Sequence, residues 1–262
     1  MKIVHYQYNA FTIEEGNTKI VIDPGVHMKL FNMKSLIPES EWDSFTHVIV
    51  THGDPDHFAK ADLIAEASKA PIVCGVELTK MINDQVHIVH PRKGGIKSWI
   101  KYIPIFPMQV GETINLNGVK IEAIRSVHGK ISVKFMGITI TKTPGTTERT
   151  GMGAMGFKIS INGKTIINLG DTILQNEWAG LKPDVLMLPI GGLGNNVWTM
   201  DIKEAIEAIK IIDPKLVIPC HYNVPFLFIK NAAPADELDF KAQVEKLGID
   251  CKLMYKGDEI NI

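Results

Sequence analysis

The stretch Val48-Ile49-Val50-Thr51-His52-Gly53-Asp54-Pro55-Asp56-His57 decides how the rest of the chain is read. An apolar run of strand character ends at Thr51, and four ligand-type side chains follow at once: His52, Asp54, Asp56 and His57. A strand holds the loop rigid, while Gly53 and Pro55 bend it so that several side chains can converge. Imidazole and carboxylate are the donors that borderline divalent metals accept. A helix N-cap is the ordinary use for one such Asp, but four ligand types together favour a metal.

Working outward, the same grammar recurs three times. The run ending Ser126-Val127 delivers His128, Ile166-Ile167-Asn168-Leu169-Gly170 delivers Asp171, and Val217-Ile218-Pro219-Cys220 delivers His221. Each lone ligand sits just past an apolar strand, where binding residues of α/β proteins gather. His5, His27, His47, His87 and His90 have no such setting and read as surface or structural residues.

This pattern resembles the metallo-β-lactamase superfamily, whose hallmark is HxHxDH followed by a distant His, Asp and His. Within it the chain is similar to predicted metal-dependent hydrolases near the ascorbate-phosphate lactonase and the phospholipase D that releases N-acylethanolamines. The similar stretches are Ile22-Asp23-Pro24-Gly25, Gly156-Phe157, Gly170-Asp171-Thr172, Gly191-Gly192, Thr199-Met200 and Pro219-Cys220-His221-Tyr222-Asn223. The resemblance implies an α/β (α+β) fold, a four-layer αββα sandwich. It implies one or two divalent ions (Zn, Mn or Fe), the first held by His52, Asp54 and His128. Asp56, His57 and His221 would hold the second, with Asp171 bridging both. A hydroxide between the metals would attack an ester, lactone or phosphoester, and Asp56 would pass a proton to the leaving group.

Two departures stand out. The family's second His is Asp54, and the early His-Ser of many relatives is Tyr8-Asn9. A third carboxylate lowers the positive charge of a two-metal centre and adds a hard oxygen donor. It shifts preference from zinc toward manganese or iron, and leaves a single-metal site open.

The local patterns fit such a frame. Phe11–Glu15 and Lys19–Ile22, Ile114–Leu116 and Val119–Val127, and Phe157–Ile161 and Thr165–Leu169 read as hairpins, the last two around Asn-Gly turns. Phe58–Ser68, Val76–Asn83, Asp201–Ile212 and Glu237–Leu247 read as helical, with Asp201 and Glu204 at capping-box spacing. Ile72–Gly75, Val86–Val89, Val185–Leu188, Leu216–Ile218, Cys251–Tyr255 and Glu259–Ile262 read as strands. Pro104–Met108 and Pro225–Ile229 read as apolar loops, the second able to line a pocket or a subunit contact in a homo-oligomer. Gly151–Gly156 spells GxGxxG but precedes a strand, which removes the nucleotide reading; Thr139–Gly151 reads as a lid. Gly163-Lys164-Thr165 lacks the upstream glycine of a P-loop, and Cys220, on the strand face opposite to His221, reads as packing.

Bulk properties set the outer bounds. With 262 residues, 45% of them hydrophobic, the chain can bury one large core, and residues 1–262 read as a single hydrolase domain. A net charge of −1 without a basic block argues against nucleic acid or an anionic membrane as partner and for a small-molecule substrate. Cys74, Cys220 and Cys251 form no disulfide framework. The N-terminus reads as a strand, not a leader, and no apolar stretch is long enough to span a membrane; these point to the cytoplasm. Two other readings are weighed against the hydrolase: a nuclease of the same fold, which needs a basic stripe, and a non-catalytic metal scaffold or sensor, with Asp54 marking decay.

Overall fold

The computed structural model describes residues 1–262 except 30–32, 91–94, 97–102, 136–137, 143–150, 193–197 and 227; for 90, 95–96, 131–135, 138–140 and 142 it describes the backbone alone. Along the chain the strands are β1 (Lys2–Gln7), β2 (Ala10–Glu15), β3 (Thr18–Ile22), β4 (His47–Val50), β5 (Ile72–Gly75), β6 (Thr79–Ile82), β7 (Gln85–His90), β8 (Gly95–Ile96) and β9 (Ile105–Met108). They continue as β10 (Thr113–Leu116), β11 (Val119–Arg125), β12 (Ile131–Phe135), β13 (Ile138–Lys142), β14 (Met155–Ile161), β15 (Lys164–Asn168), β16 (Val185–Pro189), β17 (Leu216–Cys220), β18 (Asp250–Cys251) and β19 (Glu259–Asn261). The α-helices are α1 (Pro55–Phe58), α2 (Ala61–Ser68), α3 (Ile202–Ile212) and α4 (Glu237–Lys246).

Two seven-stranded sheets carry the architecture, in the orders β19-β1-β2-β3-β4-β5-β9 and β10-β11-β14-β15-β16-β17-β18. Each is antiparallel over its first half and parallel from β3 or β15 onward. Alternation along the strands sorts the apolar side chains into three layers. Ile20, Ile22 and Ile49 of the first sheet meet Ile166, Val185, Met187 and Ile218 of the second in the inter-sheet core. Their neighbours Val21, Val48 and Val50 face the other way and pack with Phe58, Ile64 and Ala65 of α1 and α2. Ile167, Leu186 and Val217 pack outward on Ile206 and Ile209 of α3 and Phe240 and Val244 of α4. Each fully buried Ile or Val contributes roughly 1.5–3 kcal/mol. The expected αββα sandwich is therefore present, because both faces of each parallel strand are apolar and need a helix on one side and a sheet on the other.

Helix α3 starts as its sequence dictates: Asp201 and Glu204 form the reciprocal capping box. The hairpin turns at Asn117-Gly118 and Asn162-Gly163 have φ positive at both residues, as tight turns of this kind need.

Several expectations are corrected. The helix expected over Phe58–Ser68 is split, because α1 already starts at Pro55, and α2 restarts at Ala61. Val76–Asn83 is not helical: a 3-10 turn at Val76–Leu78 leads into β6, which pairs with β7 around Asn83-Asp84, both at positive φ. Pro104–Met108 contains β9, a parallel edge strand on β5, where Pro107 is tolerated. Cys251–Tyr255 is strand only at Asp250–Cys251. The lid expected over Thr139–Gly151 falls mostly on 143–150, outside the described residues, and its start belongs to β13. Among the described residues no helix is long and apolar enough to cross a membrane.

Candidate metal centre

All seven expected ligands converge at one end of the sandwich. His52 and Asp54 follow β4, Asp56 and His57 lie on α1, and His128, Asp171 and His221 follow β11, β15 and β17. Asp54 occupies the N-cap of α1 with Pro55 next to it, yet its side chain makes no cap hydrogen bond. Instead Asp54 Oδ2 lies 3.5 Å from His52 Nε2 and 3.4 Å from His128 Nε2. The ordinary helix-cap role for this carboxylate is thereby excluded.

The residues fall into two groups. In the first, Asp54 sits between His52 and His128, whose rings are 5.1 Å apart. In the second, Asp56 Oδ2 is 3.5 Å from His57 Nε2 and 3.3 Å from His221 Nε2. Asp171 Oδ2 reaches both groups, at 3.9 Å from His128 Nε2, 3.7 Å from His57 Nε2 and 3.2 Å from His221 Nε2.

A further layer, not foreseen in the sequence reading, aims the rings. His57 Nδ1 bonds Asp23 Oδ2 at 2.7 Å, His128 Nδ1 bonds the Gly129 carbonyl at 2.7 Å, and His52 Nδ1 meets Thr51 Oγ1 at 3.1 Å. In all three rings Nε2 is left facing the centre, the arrangement that orients imidazole ligands. Asp23 also accepts from Thr51 N, Thr51 Oγ1 and Asn9 Nδ2. With its oxygens so occupied, Asp23 orients His57 and does not itself face the centre as a free ligand, although it lies close to His52 and His57. The one sequence sign of this layer is Asn168, a polar residue at a strand position between inward-facing Ile166 and the turn at Gly170.

Backbone shape completes the delivery. Asp23 and His221 adopt positive φ at their strand ends, a conformation that costs non-glycine residues about 1–3 kcal/mol and clusters at functional sites. Gly170 also has positive φ, and a Cβ there would stand 2.7 Å from that of Thr51, so only glycine carries the chain past Thr51 to Asp171. The glycine run at 151–156 serves the same centre: Gly151 N donates to Asp54 Oδ2, and Met152 O accepts from Gly53 N.

Charge is strongly organised. Burial alone would raise the Asp54 pKa, but the facing imidazoles of His128 and His52 outweigh it and hold the carboxyl below its usual range. Burial is likewise outweighed at Asp56, which His57 and His221 hold well below the ordinary value. Desolvation opposes charge on His57, yet Asp171, Asp56 and Asp23 push its pKa well up. His52, beside His57 and fully buried, is pushed down. The polypeptide thus surrounds this point with ionised carboxylates and favours positive charge there.

Buried polar atoms test whether a metal fits. His52 Nε2, His57 Nε2 and Asp171 Oδ1 are buried without a hydrogen-bond partner, which is costly unless another group satisfies them. All three belong to donor groups that metals accept, and His52, His128 and Asp171, or Asp56, His57 and His221, lie close enough to share an ion. The residues fit divalent metal.

The chain is similar to known proteins along nearly its whole length. Residues 2–221 match a family model described as a beta-lactamase superfamily domain. A protein named UPF0173 metal-dependent hydrolase from Nanoarchaeum equitans is 31% identical over 266 residues, covering 100% of both chains. A protein of the same name from Pyrobaculum islandicum is 32% identical over 273 residues, again covering 100% of both. Among solved structures, the metallo hydrolase Igni18 from Ignicoccus hospitalis shares the fold with a TM-score of 0.70 at 24% identity, covering 99% of this chain and 97% of its own.

Proposed function

Since this chain belongs to the beta-lactamase superfamily and, within it, to the UPF0173 metal-dependent hydrolases, we propose that it cleaves an ester, lactone or phosphoester bond of a small molecule at a centre of two divalent ions. One observation carries this reading: Asp171 stands between two histidine–aspartate groups, with Oδ2 near three imidazoles and Oδ1 unpaired. His52, Asp54 and His128 would hold one ion, Asp56, His57 and His221 the other, and Asp171 both.

Such ions, when bound, polarise the scissile bond and make water a nucleophile at neutral pH. The chain's own residues do the rest. Asp23, Thr51 and the Gly129 carbonyl hold the imidazoles in the tautomer that presents Nε2. Asp56, only partly buried and lying between His57 and His221, would take up a proton only in passing, because those imidazoles keep it ionised, and would hand it to the leaving group. Asp54 supplies an oxygen donor where the superfamily pattern has an imidazole, which favours manganese or iron over zinc.

Elemental analysis of the purified protein, with turnover on a panel of esters, lactones and phosphoesters, tests the reading. Two ions per chain and activity lost in Asp171→Ala are expected. A protein without bound metal, or hydrolysis unchanged by Asp171→Ala, overturns it.

A further inference from the structure

Between the sheets, behind the metal centre, lies a fully buried amide whose contacts converge on one half of the site. Asn9, in the turn between β1 and β2, donates through Nδ2 to Asp23 Oδ2 at 2.6 Å and to Asn168 Oδ1 at 2.9 Å. Its Oδ1 accepts from Asn168 Nδ2 at 3.0 Å and from Cys220 Sγ at 3.2 Å. The orientation of the amide is fixed by its partners: Gly170 N donates to Asn168 Oδ1, which sets that amide, and Asn168 Nδ2 then meets Asn9 Oδ1. Every contact leads toward a ligand. Asp23 bonds His57 Nδ1; Asn168 Oδ1 takes Gly170 N, the residue before Asp171; Cys220 precedes His221. The neighbouring Tyr8 carbonyl accepts from His221 N at 3.0 Å, and the Tyr8 ring packs edge-on to the His221 imidazole. No hydrogen bond of Asn9 goes to His52, Asp54 or His128 directly; the path to the first group runs from Asp23 through Thr51, whose Oγ1 meets His52 Nδ1.

We propose that Asn9 is a positioning residue that braces His57, His221 and the shared Asp171 through its direct hydrogen-bond partners, and reaches the first group only indirectly, through Asp23 and Thr51 to His52. The inference rests on the two-metal reading above. A buried amide with all its hydrogen-bonding capacity spent on ligand-bearing segments locks their mutual spacing, and outer partners of this kind set metal affinity. The same turn is where the sequence departs from the family's early His-Ser, so this chain's bracing is built from its own Tyr8-Asn9 pair.

The test is stepwise binding of Mn²⁺ and Co²⁺ to the metal-free full chain by chelator competition, with cobalt absorption spectra and thermal unfolding recorded alongside. In Asn9→Ala one ion binds roughly 10–100-fold more weakly and the other loses distinctly less; Asn9→Ser, which keeps a donor for Asp23, recovers part of the loss. Adding Asn9→Ala to His221→Ala weakens the remaining ion less than adding it to Asp54→Ala does. Equal weakening of both ions, or no weakening in a variant that unfolds cooperatively, overturns the proposal. If Asn9→Ala does not fold, Asn9→Ser carries the same comparison. Failure of the parent reading looks different: the wild-type chain then binds fewer than two ions.

Discussion

The two ligand groups of the centre are chemically alike but held in place by opposite means. His52 is steadied by its neighbour Thr51 and His128 by its neighbour Gly129. His57 depends on Asp23, 34 residues earlier, and His221 on the carbonyl of Tyr8 at the far end of the chain. Asn9 and Asn168, 159 residues apart, tie these supports across the two sheets. Local supports form as soon as a turn forms. Of the long-range ones, Asp23 to His57 stays at the end of the first sheet, whereas the Tyr8 and Asn9 contacts exist only when both sheets have docked, so His221 reads out the integrity of the sandwich.

The largest effect belongs to the residue common to both groups. Asp171→Ala removes a carboxylate near His57, His128 and His221 together and leaves buried imidazoles without their counter-charge. Both metal affinities fall, and hydrolysis drops on the order of 10²–10³-fold or more, the scale of losing one preorganised charge-stabilising group. Elemental analysis and steady-state rates check this. Retention of one tightly held ion would mean that the two groups are independent.

Next comes Asp23→Asn, which sharpens the contrast. The amide cannot accept as the carboxylate does from Thr51, Asn9 and His57 at once. His57 loses its orientation directly and His52 only through Thr51, so one ion binds roughly 10–100-fold more weakly and the other loses less. Stepwise metal titration decides the matter, and equal losses at both steps would erase the distinction between the groups.

What the sequence disclosed follows the same division. Each ligand was legible because a single His or Asp after an apolar strand is chemically conspicuous, and four such strands in one chain agree with one another. The supports were not. Asn9 and Asp23 are ordinary turn residues by type, and their meaning arises only when β15 and β17 of the other sheet come beside them. Hairpins at Asn117-Gly118 and Asn162-Gly163 were legible from two residues each. The β6–β7 hairpin was hidden because Asn83-Asp84 lacks glycine, and β9 because Pro104 and Pro107 suggest a loop. Which parallel strands neighbour each other depends on residues far apart in sequence, and no local pattern carries that information.

Asp54→His acts more gently and only on the first group. It restores the superfamily's imidazole between His52 and His128 and removes one negative charge from a site that now holds Asp54, Asp56 and Asp171. Zinc affinity relative to manganese rises, as expected when a nitrogen donor replaces oxygen. Competition between the two metals followed by elemental analysis reads the change. A ratio identical to that of the wild type would show that Asp54 serves as a counter-charge to the imidazoles and not as a donor.

The smallest effect lies outside both groups and sets the baseline for the others. Asp201 caps α3, accepting from Glu204 N at 2.9 Å while the Glu204 carboxylate reaches back to Asp201 N. Asp201→Ala removes one half of that exchange and lowers stability by about 0.5–2 kcal/mol. Helix α3 packs on the outer face of the second sheet through Ile206 and Ile209, away from the inter-sheet network that holds His57 and His221. Denaturant unfolding of the metal-free protein should therefore shift while both stepwise metal affinities stay as they were. A parallel drop in the affinity of the ion assigned to His57 and His221 would show instead that any loosening of the second sheet reaches the centre, and the selectivity claimed for Asp23 and Asn9 would then be a matter of degree.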